Sequence, residues 1–251
     1  MIIDTHSHIN TKQFKEDFET VINNANNNEV LKIIVVGMDS YHNKKAIFLA
    51  NQYNNLFAAV GIHQSDVDKE DIENIIPLLT NKRVVALGEI GIDLYWRKDN
   101  LDKQIFYFEE QIKLAIKYNL PIIIHTRNSF SEAYNIVKKY KNQVRGVFHS
   151  FSSNLKDAKL AIDLGFYIGI SGVITFNKAL ELKEIVKEIP LEHLLLETDS
   201  PYLSPVPYRG LRNEPAYTKY VAEEVSKIKG VSIELVKEIT SKNAHKLFGL
   251  E

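Results

Sequence analysis

Short runs of apolar residues recur along the chain and alternate with segments whose apolar residues follow helical spacing. The runs predict eight strands, near Ile2–Asp4, Ile33–Val36, Phe57–Val60, Val84–Gly88, Ile122–His125, Gly146–His149, Phe166–Ile170 and Leu194–Glu197. The segments between them predict helices over Lys12–Asn26, His42–Asn54, Glu70–Leu79, Asp102–Lys117, Ser131–Tyr140, Leu155–Leu164 and Ala179–Lys187. Strands rich in Val, Ile and Leu without polar alternation are typical of parallel strands covered on both faces. The pattern therefore predicts a βα unit repeated eight times.

Local signals mark several ends of these predicted elements. Ser129 and Glu132 have the spacing of a capping box, and Gly165 follows a helical stretch as a C-terminal glycine commonly does. After the eighth strand a proline-rich loop, SPYLSPVPYRGLRNEP, precedes three further helical stretches, Tyr217–Lys229, Ile233–Ile239 and about Asn243–Phe248. A loop of this length within a compact domain is commonly functional.

Eight parallel strands in a chain of 251 residues are typical of a TIM (β/α)8 barrel, with one domain over residues 1–251. An open, doubly wound α/β sheet is the alternative. In a barrel the carboxyl ends of all strands meet at one face, and active sites are built there. Residues that follow the strands are therefore the first candidates for chemistry.

Charge and composition narrow the class of protein. The chain has 31 basic and 32 acidic residues, a net charge of −1, so no global positive field draws it onto DNA or an anionic membrane. It has no cysteine, which excludes disulfides, thiolate nucleophiles and Cys-ligated zinc. No secretory signal and no apolar stretch of about 20 residues is visible. We expect a soluble cytoplasmic protein that needs no membrane and no obligate protein partner.

Polar residues with metal-binding side chains lie at or just after the carboxyl ends of five of the predicted strands. They are His6 and His8 after the first strand, Glu89 after the fourth, His125 at the end of the fifth, His149 at the end of the sixth and Asp199 after the eighth. Each of these side chains is costly to bury without a partner, so their recurrence at one barrel face predicts a shared polar site. The sequence therefore predicts a metal centre with nitrogen and oxygen ligands.

The residue types indicate how such a centre is organised. Alternate residues of an extended strand face the same side, so His6 and His8 can bind one ion. Glu89, between Gly88 and Gly91, can bridge two cations. Asp199 can bind an ion and accept a proton from activated water, with Glu197 as the competing candidate; we expect Glu197 to have a packing or capping role. Zn²⁺, Mn²⁺, Ni²⁺ and Fe²⁺ suit these ligands, and Mg²⁺ suits them less.

Further candidates stand in the loops of the same predicted face. His63 either donates to a substrate oxygen or is a solvated loop residue. Arg127, Arg209 and Arg212 have the planar guanidinium that suits phosphate. Tyr95 and Trp96 either stack on bases or form a packed lid, and we expect the packed lid.

Several motifs closely resemble the signatures of TatD-family metal-dependent hydrolases. They are DTHSH, GEIGID, IIIHTR, FHSF, ETDSPYL, RGLRNEP and the C-terminal NAHKLFGL, which together extend over essentially the whole chain. The segment after His63 reads QSD, where the family more often has a histidine-containing run. The resemblance implies a TIM-barrel phosphoesterase similar to metal-dependent deoxyribonucleases with 3′–5′ exonuclease character.

The resemblance also implies how the site residues are used. It assigns one divalent ion to His6, His8, Glu89 and Asp199, and a second ion to Glu89, His125 and His149. It implies a metal-bridging hydroxide as nucleophile, with Asp199 orienting or deprotonating the water. It places substrate contacts at His63, Arg127 and the RGLRNEP loop, with Arg209 and Glu214, although Glu214 can instead order that loop.

The expected substrate is DNA, as strand ends or short oligonucleotides, because the near-neutral charge does not favour processive binding. Two alternatives remain. One is an ester hydrolase of the same family that acts on D-aminoacyl-tRNA. The other is a scaffold that binds metal for stability without catalysis.

Overall fold

Eight parallel strands form the centre of the molecule in the computed structural model, which describes residues 1–250. The strands are β1 (Ile2–Ser7), β2 (Val30–Val36), β3 (Leu56–Val60), β4 (Val84–Asp93), β5 (Ile122–Arg127), β6 (Gly146–Phe148), β7 (Tyr167–Ile170) and β8 (Leu194–Leu196). Each strand pairs with the next one along the chain, and a parallel bridge between Ser7 and Ser200 brings the end of β8 back to β1. This order is that of a TIM barrel, so the prediction of a barrel is confirmed and the open sheet is wrong.

Helices surround the strands in the order that the sequence predicts. They are α1 (Phe18–Asn27), α2 (Ser40–Gln52), α3 (Leu101–Tyr118), α4 (Phe130–Lys139), α5 (Leu155–Asp163), α6 (Leu180–Glu188), α7 (Thr218–Lys229) and α8 (Ile233–Phe248). Within residues 1–250, none of the helices combines the length and the apolar character that crossing a membrane requires.

Some of the predicted helical segments differ from the structure. The segment Glu70–Leu79 forms two short 3-10 turns, Ile72–Asn74 and Ile76–Leu78, in place of a helix. Pro77 lies in the second turn and has no N–H to continue α-helical hydrogen bonding. The last two predicted stretches form one continuous helix, α8, since no proline or glycine interrupts the chain between them.

The two predicted end signals have different outcomes. Ser129 precedes α4, but its hydroxyl donates to the Ile92 carbonyl and accepts from the Arg127 N–H, so the predicted capping box is wrong. Gly165 follows α5 with a φ of 86°, and its N–H donates to the Ile162 carbonyl at 2.8 Å. The glycine stop is therefore confirmed.

Alternate strand residues face two different parts of the core. Ile33 and Val35 pack in the layer between strands and helices, whereas Ile34 and Val36 pack in the barrel interior. The interior cluster also contains a group of side chains from the end of the chain, Ala244, Leu247, Phe248 and Leu250.

The helix α8 fixes which end of the barrel is covered. Ser241 donates from α8 to the carbonyl of Met1, and Asn243 donates to the carbonyl of Leu194 at the start of β8. These contacts place α8 across the amino ends of the strands. The ligand candidates lie at the opposite, carboxyl end.

Candidate metal centre

The first strand brings two imidazoles together. Nε2 of His6 and Nε2 of His8 lie 3.1 Å apart, and both side chains are buried. His8 donates from Nδ1 to the Val36 carbonyl at 3.0 Å. This bond places the proton on Nδ1 and leaves the Nε2 lone pair directed at the site.

Glu89 lies between two groups of histidines. Its Oε2 is 3.4 Å from His6 Nε2 and 3.5 Å from His8 Nε2. Its Oε1 is 2.6 Å from His125 Nδ1 and 2.9 Å from His149 Nε2. The two oxygens of one carboxylate therefore face different imidazole pairs, which is the arrangement that bridging two cations requires.

Glycine at position 91 lets β4 and β5 approach closely enough for this contact. Gly91 pairs with His125 and has a φ of 149°, a conformation that residues with a Cβ rarely adopt. A Cβ at this position would lie 2.0 Å from the carbonyl oxygen of His125. Strand β4 also continues through Asp93, so Glu89 lies within the strand and not after it.

Carboxylates on the far side of the second histidine pair fix the orientation of the rings. Asp93 Oδ2 lies 3.3 Å from His125 Nε2, where it can orient the imidazole. Glu197 Oε1 lies 3.5 Å from His149 Nδ1, at the limit of a hydrogen bond, and accepts from the Ser150 N–H at 2.5 Å. Each histidine therefore has one nitrogen on an orienting carboxylate and the other towards Glu89.

Glu197 is buried and accepts from the Ser150 N–H, which agrees with the packing or capping role expected for it, and its carboxylate also contacts a candidate ligand. Strand β8 ends at Leu196, and the chain turns at Asp199, which has a φ of 58°. The alternation of an extended strand is therefore broken between Glu197 and Asp199. Glu197 faces His149, whereas Asp199 Oδ1 lies 3.6 Å from His6 Nε2 and 3.5 Å from His8 Nε2.

Sequence reasoning missed a buried support beneath the first histidine pair. Asp4 accepts hydrogen bonds from the N–H and the hydroxyl of Thr198, at 2.9 and 2.6 Å, and from the N–H of His6. Burial raises the pKa of Asp4 to about 8, against the lowering effect of these hydrogen bonds. The available signal was the spacing in DTHSH, because Asp4 lies two residues before His6 on the same strand face.

The cluster attracts positive charge. Burial lowers the pKa of His8, but the carboxylates of Asp199 and Glu89 outweigh burial and raise this pKa to about 9. Burial acts in the same sense on His149, whose pKa is nevertheless raised well above its ordinary value by Glu89 and Glu197. Burial raises the pKa of Glu89, but the neighbouring imidazoles outweigh it and hold the pKa well below the usual range.

The donor set fits divalent cations. Two nitrogens that each lie about 2.0–2.1 Å from one ion are separated by about 2.9–3.4 Å in octahedral or tetrahedral geometry. The His6–His8 and His125–His149 nitrogen pairs lie 3.1 and 3.2 Å apart. Three groups have donor atoms within 4.8 Å of one another: His6, His8 and Glu89; His6, His149 and Asp199; and His63, Glu89 and His125.

His63 lies against the cluster and is not a solvated loop residue. Its Nε2 is 3.7 Å from Glu89 Oε1, and its ring meets that of His125 edge to face at 5.3 Å. Burial lowers its pKa to about 4, so the imidazole is neutral at neutral pH. Its Nε2 accepts from the Gln64 side chain at 2.7 Å, so binding of this nitrogen to a cation or a substrate would replace that hydrogen bond.

A cavity of about 650 Å³ opens from the cluster, lined by His125, His149 and Asp199 together with Arg127 and Lys178. The size is that of a site for a small molecule or a short segment of a polymer. Arg209 instead lies exposed, with its guanidinium 4.3 Å above the ring of Phe176.

Arg212 and Glu214, the remaining candidates for substrate contact, hold the proline-rich loop against α1. Glu214 accepts from the Asn24 side chain at 3.2 Å, and Arg212 donates to both carboxylate oxygens of Asp17 and to the Gln13 carbonyl. These contacts favour the alternative in which Glu214 orders its loop.

The chain is similar along almost its whole length to proteins of one family. The family model described as TatD related DNase matches residues 3–249. The Bacillus subtilis protein named uncharacterized metal-dependent hydrolase YabD is 40% identical over 252 residues, 99% of each chain. The Escherichia coli K12 protein YcfH, also named an uncharacterized metal-dependent hydrolase, is 33% identical and covers 100% of this chain and 96% of its own. The crystal structure of YjjV, a TatD homolog from Escherichia coli K12, has a TM-score of 0.94 at 30% identity over 100% of this chain and 98% of that one.

Proposed function

The chain belongs to the family of TatD related DNases, which are metal-dependent hydrolases, and we propose that it is a divalent-metal-dependent deoxyribonuclease acting on strand ends. The observation that carries this proposal is the position of Glu89 between two histidine pairs. Each of its two carboxylate oxygens lies within 3.5 Å of both imidazoles of a different pair. Two-metal sites of this kind are suited to displacement at phosphorus.

In the proposed mechanism some side chains hold cations and another accepts a proton. His6, His8 and Asp199 would hold one divalent ion, His125 and His149 a second, and Glu89 both. Ions bound there supply Lewis-acid stabilisation of the phosphoryl oxygens and lower the pKa of water.

Asp199 is suited to receive the proton of the attacking water. Burial raises its pKa, but His8, His6 and His149 outweigh burial and lower it, so the carboxylate is ionised at neutral pH. It also lines the cavity in which a substrate is placed. A carboxylate in this position acts as the general base.

The surface supports binding at strand ends in preference to processive binding. The net charge is −1, so no global positive field draws a long duplex onto the protein. Arg127 and Lys178 supply positive charge within the cavity itself. We expect modest affinity that depends on the end of the strand.

The proposal is tested with purified protein, Mn²⁺, Mg²⁺ or Zn²⁺, and two substrates, 5′-labelled single-stranded DNA and D-aminoacyl-tRNA. We expect stepwise release of nucleotides from the 3′ end that requires metal. The variants Glu89→Gln and Asp199→Asn should lose this activity. The control His193→Gln, a histidine at the amino end of β8, should retain it.

The outcome also separates the alternatives. Cleavage of the aminoacyl ester without cleavage of DNA would contradict the proposal and support the ester hydrolase. Loss of thermal stability in Glu89→Gln, with neither substrate cleaved by the wild-type protein, would support the scaffold.

A further inference from the structure

Two aromatic side chains stand exposed in the loop after β4. Tyr95 is 53% exposed and Trp96 is 72% exposed, and their rings meet edge to face at 4.9 Å. The packed lid expected from the sequence is therefore wrong, because a packed lid buries its rings. Adjacent exposed aromatic rings commonly mark a binding surface.

A guanidinium completes the cluster. The Arg127 side chain lies 4.0 Å above the ring of Tyr95 and 5.4 Å from that of Trp96. Within residues 1–250 no carboxylate forms an ion pair with Arg127. In the loop after β4, the Arg97 guanidinium is already paired with Asp68 and Asp99. Arg127 is thus a cation that remains available to an anion from outside the chain.

The same carboxylate that orients a candidate metal ligand also holds this cluster. Asp93 Oδ1 accepts from the N–H groups of Tyr95 and Trp96, at 2.8 and 2.9 Å, and its Oδ2 lies beside His125. The backbone of β5 adds a hydrogen bond from the Leu94 N–H to the Arg127 carbonyl at 2.9 Å. The aromatic cluster is therefore at a fixed position relative to the metal centre.

We propose that Tyr95, Trp96 and Arg127 form a nucleotide-binding platform in which an unpaired base stacks on Trp96 and its phosphate pairs with Arg127. Charge complementarity and continuity with the site support the platform. Arg127, which has no carboxylate partner within residues 1–250, lies over two exposed rings and lines the cavity of the metal centre. The identity of the ligand as nucleic acid rests on the proposed function. The platform favours strands whose terminal bases are unpaired and unstacked, since a base stacked within a duplex has both faces covered.

The single tryptophan of the chain provides a direct readout, because Trp96 is the only one in the sequence. Metal-loaded protein is mixed rapidly with a short single-stranded oligonucleotide, and tryptophan fluorescence is recorded before turnover. A second strand of the same length has abasic sugars at its terminal positions. We expect saturable quenching by the first strand and little by the second. Equal quenching by both strands, or none by either, would overturn the platform.

Cleavage kinetics provide the second readout. Trp96→Ala should raise KM for the base-containing strand about 5- to 100-fold, the effect of losing one stacked base, and should leave KM for the abasic strand unchanged. Trp96→Phe should restore much of the loss because it retains a ring. Phe48→Ala removes an exposed aromatic ring from α2 and is the matched control. Unchanged KM in Trp96→Ala would also overturn the proposal.

These readouts separate the platform from the nuclease activity. If DNA is cleaved but Trp96 is not quenched, the proposed function stands and the platform is wrong. If Trp96 is quenched by the base-containing strand alone but no DNA is cleaved, the platform stands and the proposed nuclease activity is wrong.

Discussion

Glu197 has a contact with His149 that the sequence does not predict, and the variant Glu197→Gln tests the role of this contact. Its carboxylate is fully buried, accepts from the Ser150 N–H and lies 3.5 Å from His149 Nδ1. Gly169 makes room for it, since a Cβ on that glycine would lie 2.5 Å from Glu197 Oε2. The substitution keeps the shape of the side chain and an acceptor for Ser150, and removes the charge that faces His149.

The expected effect is on metal affinity. Removing the carboxylate that orients a ligating histidine commonly costs about 10- to 100-fold in metal affinity or activity, or about 1.4–2.8 kcal/mol. Glu197→Ala removes more, because it also leaves the Ser150 N–H without its acceptor, at about 1–3 kcal/mol in the free energy of unfolding. The two variants should therefore have similar losses of metal affinity and different thermal stabilities.

The assay is isothermal titration of the metal-free protein with Zn²⁺ or Mn²⁺, together with the melting temperature of each variant. Glu192→Gln is the matched control, since it removes an exposed carboxylate from the turn before β8. If Glu197→Gln binds metal as tightly as the wild type and the control, Glu197 is a packing residue and the reasoning from its contact with His149 is wrong.

Three further predictions follow from the geometry of the site. Gly91→Ala should lower the melting temperature and weaken metal binding. The backbone conformation alone costs about 1–3 kcal/mol for a residue with a Cβ, and the Cβ would displace the His125 carbonyl. Normal metal affinity in a folded variant would contradict this prediction. Metal affinity, measured by titration, should rise as pH increases towards about 9 and then level off. The reason is that a cation competes with protons on His8, His125 and His149, whose pKa values are raised. An affinity that does not depend on pH would contradict this prediction. Glu214→Ala should lower the melting temperature with little change in KM for DNA, whereas a raised KM in Glu214→Gln would indicate a substrate contact.

Much of the fold was predictable because strands buried on both faces leave continuous apolar runs in the sequence. All eight runs correspond to strands of the barrel, with ends that differ by a few residues. The polar residues at the ends of these runs, such as His125 and His149, converge because parallel strands in a barrel share one carboxyl end. Topology therefore connects the spacing in the sequence to the position of these side chains in space.

Other features depend on contacts that periodicity does not describe. The contact of Glu197 with His149 follows from the early end of β8 and the turn at Asp199, which break the alternation expected of a strand. Ser129 does not cap α4 because its hydroxyl donates to the carbonyl of Ile92, which is distant in sequence. Tertiary contacts of this kind override a local motif.

The exposure of Trp96 has a similar origin. The sequence GEIGIDLYW gives no sign of whether the two aromatic residues pack or project. The position of their loop depends on Asp93, which accepts hydrogen bonds from the N–H groups of both residues and holds the loop beside β5.

The central claim is that Glu89 divides the site between two cations, and anomalous X-ray scattering from crystals grown with Mn²⁺ or Zn²⁺ tests it most directly. We expect two anomalous peaks, one between Glu89 Oε2 and the His6–His8 pair and the other between Glu89 Oε1 and the His125–His149 pair. A single peak bound by one pair alone, or no peak beside Glu89 at saturating metal, would contradict the claim.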